Sequence, residues 1–155
     1  MSTSSPDRGP AGLRMVAGAA LLAVLSLACN PQLLPPARAI SGVLLLDQAT
    51  PVERGGGDCR GTGGYADLRS GLEVVARDDS GTRMATTTLM AAPAPTNADG
   101  SVPQAERNRC VFRFGLSDME ERPAYRITIG ERGGLRYTRE ELEAAGWTVE
   151  LSLGR

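Results

Sequence analysis

Cys110-Val111-Phe112-Arg113-Phe114-Gly115-Leu116 places an apolar residue at every second position, with Arg113 and Gly115 between the last three. A strand places successive side chains on opposite faces, so Cys110, Phe112, Phe114 and Leu116 share one side. That side carries both phenylalanines of the chain, which marks it as core. Residues 125–129 (YRITI) alternate in the same way, with Tyr125, Ile127 and Ile129 inward. Further strands are expected at 40–46 (ISGVLLL), 72–77 (LEVVAR), 83–90 (RMATTTLM), 135–137 and 147–153 (WTVELSL). Asp78-Asp79-Ser80-Gly81 is turn chemistry and joins two of them as a hairpin. Thr138 and Glu141 form a capping box that opens one short helix, and Gly146 is its expected stop. Seven short strands separated by turn signals predict an all-β domain with one short helix. Its expected form is an antiparallel β-sandwich of immunoglobulin-like or transthyretin-like type.

Two long connections interrupt the strands. Residues 50–65 are rich in glycine and end in Cys59-Arg60-Gly61-Thr62-Gly63-Gly64-Tyr65, read as loop. Residues 91–109 carry Pro93, Pro95, Pro103, Asn97, Asp99 and Gly100, and structureless connections of that length are commonly functional. Gly61, Gly63, Gly64, Tyr65, Asn97 and Asp99 are therefore the candidate binding-loop residues. The glycines lack the lysine and the strand–helix context of a phosphate loop, so tight turning around Cys59 is the preferred reading. Asn97, Asp99, Gly100, Ser101 and Glu106 fall at calcium-loop positions 3, 5, 6, 7 and 12. Pro95 stands at position 1, however, and no flanking helices are expected, so no metal ligands are assigned.

The N-terminus reads as a targeting segment. Arg8 and Arg14 precede residues 15–28 (MVAGAALLAVLSLA), an uncharged run of 14 residues. A spanning helix needs about 20 apolar residues, whereas a positive flank before a shorter apolar run is the secretory pattern. Leu25-Ser26-Leu27-Ala28-Cys29 resembles a bacterial lipobox, with Ser26 where an aliphatic residue is usual. The preferred organisation is a signal peptide over 1–28, a lipid-anchored tether over 29–39 beginning at Cys29, and one β domain over 40–155. Cleavage after Ala37-Arg38-Ala39 is the alternative and would give a secreted protein. Cutting before Cys29 and lipidating it leaves Cys59 and Cys110 as an even pair, suited to a structural disulfide outside the cytoplasm.

Composition removes much of the remaining chemistry. The chain has no His, and all 17 basic residues are Arg. Imidazole bases, Ser-His-Asp triads, the P-loop lysine and Schiff bases are excluded whatever the fold. Residues 40–155 carry 14 Arg against 17 acids, a net of −3, with no basic run to mark a nucleic-acid footprint. Asp78-Asp79 and Asp118/Glu120/Glu121 are carboxylate clusters of the kind glycosidase chemistry uses, and both are read as polar turns. No cofactor is expected, and a non-catalytic role is preferred to a carboxylate-dependent hydrolase.

Cys59-x-Gly61-x-Gly63-Gly64-Tyr65, Asp78-x-x-Gly81, Cys110-x-Phe112-x-Phe114, Arg132-Gly133 and Glu141-Leu142 with Trp147 follow one another in order. In these motifs the chain resembles a group of uncharacterised small exported proteins, some lipid-anchored, of actinobacteria. The resemblance implies export and a two-cysteine β domain, and it brings no catalytic residues. The expectation is a binding or accessory module at the outer face of the cell membrane, held there by its lipid anchor. Its partner would be an envelope protein or glycan, contacted through the two loops. The alternative is a structural subunit docking to another exported protein through a strand edge.

Overall fold

The computed structural model describes residues 38–154, so Cys29 and the segment expected to act in targeting lie outside the described residues. Ten strands form two four-stranded sheets and a two-stranded hairpin. In chain order the strands are β1 (Arg38–Asp47), β2 (Glu53–Gly55), β3 (Asp58–Arg60), β4 (Glu73–Arg77) and β5 (Arg83–Thr88). They continue with β6 (Met90–Ala91), β7 (Arg109–Met119), β8 (Ala124–Ile129), β9 (Leu135–Thr138) and β10 (Thr148–Gly154); the helix α1 (Arg139–Ala144) lies between the last two. One sheet has the order β10-β1-β7-β6, the other β5-β4-β8-β9.

Alternation explains which faces meet. Cys110, Phe112, Phe114 and Leu116 of β7 are all buried, as are Ile40, Leu44 and Leu46 of β1. Val74, Ala76, Tyr125, Ile127 and Ile129 from the second sheet join them in one continuous core, so the two sheets pack as a sandwich. Burying one such apolar side chain is worth roughly 1.5–3 kcal/mol. Gly42 lies opposite Phe114 in the register, and the aromatic ring covers it: a Cβ built there would overlap the ring edge.

Four details depart from the sequence reading. The 50–65 connection is not all loop, because β2 and β3 pair as a hairpin within it. β1 starts at Arg38, so Arg38 and Ala39, assigned above to the tether, belong to the first strand. The sheets are antiparallel except where β1 runs parallel to β10, pairing Ser41 with Thr148 through to Asp47 with Gly154. Finally, Trp147 is not a strand residue. Its N–H bonds the carbonyl of Leu142 while that of Gly146 bonds Glu143, closing α1 in a Schellman motif with both residues at positive φ. The expected capping box of Thr138 and Glu141 is present in both directions.

Among the seven longer strands, the first, fourth and seventh (β1, β7, β10) share a sheet, and the other four form the second. An immunoglobulin constant domain instead groups its first, second, fourth and fifth strands.

Cys59 and Cys110 are bonded, as their parity suggested, across 51 residues of sequence, and both are buried. Closing a loop of that length contributes about 4 kcal/mol in the chain-entropy model. Two measurements test these packing arguments. Adding dithiothreitol to a urea titration should lower the midpoint by the equivalent of about 4 kcal/mol, and an unchanged midpoint would contradict the structural role of the bond. Gly42→Val should cost roughly 1–3 kcal/mol by displacing the Phe114 ring.

Candidate functional site

The two long connections come together at one place on the surface. Gly55, Gly57 and Asp58 of the β2–β3 hairpin, with Arg54 beside them, face Pro93, Ala94, Thr96 and Val102 of the 91–109 loop. Between them lies a groove of about 370 Å³. Pro93, Ala94 and Val102 supply its apolar surface, and Arg54 and Asp58 supply the charge. The hairpin turns at Gly56 and Gly57, both at positive φ, where a side chain would be strained.

Two devices hold the hairpin in place. The disulfide fixes Cys59 to β7. Arg54 then reaches across and donates from Nη2 to the carbonyls of Glu106 (2.9 Å) and Arg109. Its Nε is buried with no partner among the described residues. Gln48, the one buried polar residue among the described residues, closes the base of the connection. Its Nε2 donates to Thr62 Oγ1 (2.5 Å) and to the carbonyl of Thr50 (2.9 Å), while its Oε1 accepts from the Thr62 N–H (3.1 Å). Neither Arg54 nor Gln48 carries a motif that would single it out in the sequence.

None of the six candidate loop residues lines this groove. Gly61 is buried, and a Cβ there would collide with the carbonyl of Tyr65, so the glycine is required by packing. Gly63, Gly64 and Tyr65 form a single 3-10 turn. Arg132, from the β8–β9 turn, lies over the Tyr65 ring at 5.2 Å and bonds both oxygens of Asp67 (3.0 and 2.5 Å) and the Gly64 carbonyl (3.0 Å). The glycine-rich turn is thus docked onto the second sheet by one arginine fork. Asn97 and Asp99 belong to a separate turn around Gly100. Asn97 Nδ2 donates to Ser101 Oγ (2.9 Å), and Asp99 accepts from the Ser101 N–H (2.9 Å) and hydroxyl (2.6 Å).

No group of three or more His, Cys, Asp or Glu side chains suited to a metal occurs among the described residues. The carboxylates at 78–79 are engaged: Asp78 accepts from Ser80 and Thr82, and Asp79 takes a bidentate bond from Arg136 (2.8 and 2.7 Å). Comparison with protein-family models, with curated proteins and with solved structures finds no match to this chain.

Hydrogen bonds from Arg132 hold the Asp67 carboxyl below its usual range, against the opposing effect of partial burial. A lowered pKa in the folded state means the contact contributes fully above the ordinary carboxylate pKa and is lost as pH falls through the lowered value. Hydrogen exchange of the 61–67 amides should therefore stay slow at mildly acidic pH and accelerate only below the ordinary Asp range. Asp67→Asn should remove that pH dependence, and Arg132→Ala should abolish the protection at every pH.

Proposed function

We propose that this chain is an exported, lipid-anchored, non-catalytic binding module of the cell envelope. The observation that carries the reading is the groove between the β2–β3 hairpin and the 91–109 loop. The β2–β3 hairpin and the 91–109 loop, far apart in sequence, together form one concave surface. The disulfide and the Arg54 contacts tie the hairpin wall to β7, and a site held in place in this way loses less freedom when a ligand binds. The apolar lining from Pro93, Ala94 and Val102 suits an apolar group, and Arg54 with Asp58 suits polar acceptors and donors at its edge. An envelope protein or glycan with that mixed character is the partner proposed. The sequence chemistry supports a non-catalytic reading: there is no His and no Lys, and the carboxylate pair at 78–79 is tied up in turn and arginine contacts.

Export and anchoring rest on the sequence of residues 8–29 alone. Labelling cells with a radiolabelled fatty acid should mark the wild-type chain and leave Cys29→Ala unmarked; equal labelling would reject the anchor. For the groove, crosslinking in intact cells from a photoreactive group at Thr96 should capture a discrete envelope partner. Filling the groove with Ala94→Trp should abolish that capture while leaving the thermal midpoint within a few degrees. Capture that survives the filled groove would remove it as the binding surface.

A further inference from the structure

On the outer face of the second sheet, four arginines stand in one row. The register pairs Arg83 of β5 with Arg77 of β4, Arg77 with Arg126 of β8, and Arg126 with Arg136 of β9. Strand spacing is about 4.8 Å, so the row crosses the sheet over about 14 Å of backbone. All four point away from the core. Arg83 reaches Glu73 and Thr86 on that face, Arg126 packs over Gly134 beside Thr128, and Arg136 holds Asp79.

Like charges directly opposite one another weaken a sheet, and this sheet repeats the arrangement three times in succession. The charges are only partly balanced. Glu73 neutralises Arg83 and Asp79 neutralises Arg136, at the two ends. The central pair, Arg77 and Arg126, forms no ion pair among the described residues; each donates to a backbone carbonyl, of Gly81 and Gly134 respectively. Asp79 feels the charge of Arg126 but is committed to Arg136. Threonines flank the row on the same face: Thr86 and Thr128 pair with Val75, and Thr88 lies opposite Glu73.

We propose that this row is a binding surface for an acidic polysaccharide, laid across the strands with its anionic groups on Arg77 and Arg126. Guanidinium forks suit carboxylate, sulfate or phosphate oxygens carried on sugars, and the flanking threonine hydroxyls suit sugar hydroxyls. The strand spacing is close to the length of one sugar unit, so successive arginines meet successive residues of an extended glycan. A bilayer fits less well. The positive charge is a single line bordered by Glu73 and Asp79, and the domain as a whole is negative. The surface is distinct from the loop groove and stands or falls without it.

The test is binding of the mature protein to polygalacturonate and to dextran sulfate, with neutral dextran, single-stranded DNA and phosphatidylglycerol vesicles in parallel. Binding to at least one acidic glycan is expected, the two arms separating carboxylate from sulfate recognition, with affinity falling as salt rises. The double variant Arg77→Gln, Arg126→Gln should lose about tenfold or more in affinity, while its thermal midpoint stays level or rises because a like-charge pair has gone. Ala94→Trp, which fills the groove, should bind the glycan normally. The proposal is overturned if neither glycan binds, if DNA or vesicles bind in their place, or if the folded double variant binds as well as wild type.

Discussion

The bond between Cys59 and Cys110 is the constraint on which the groove depends. A two-stranded hairpin is marginally stable in water unless it packs on something larger. In β2 and β3 the only buried residue is Cys59 itself. The hairpin therefore has almost no hydrophobic reason to lie where it does. The disulfide supplies that reason from within the core, beside Phe112, and Arg54 adds two backbone contacts across 52 and 55 residues of sequence. One wall of the groove is a covalent attachment rather than a packed layer.

Arginine takes on this cross-linking work throughout the domain. Arg132 docks the glycine-rich turn, Arg136 holds the turn between β4 and β5, and Arg54 ties the hairpin to β7. Each contact uses more than one donor or acceptor in a planar arrangement, or a stack on an aromatic ring, which an ammonium group would not reproduce. All 17 basic residues of the chain are Arg, and the fold makes use of that side chain. Loops with few apolar side chains are held by guanidinium forks instead of by burial.

How much of this was legible depends on the range of the signal. The core faces of β7 and β8 and the capping box of Thr138 and Glu141 are local patterns, and they read directly from the chain. The β2–β3 hairpin was missed because a strand that buries one cysteine shows no alternation. Trp147 was placed in the strand since it continues the apolar pattern of Val149 and Leu151; the helix cap takes it first. The arginine row was invisible for a different reason. Its members lie at positions 77, 83, 126 and 136, and only the register of three strand pairs aligns them. Gly61 and Tyr65 drew attention as a motif, but their spacing serves close packing and a docking arginine. The groove itself is made by residues with no motif at all.

The parallel pairing of β1 with β10 also governs when the domain can exist. β1 is flanked by the last strand of the chain on one side and by β7 on the other, so its sheet is complete only when both are present. Pairings this distant in sequence close large loops and form slowly. A chain emerging in order from a ribosome or a translocation channel can pair its first strand with β7, but that strand keeps one open edge until β10 appears. Late completion of this kind leaves the open edge of β1 as a place where the unfinished domain can pair with another strand.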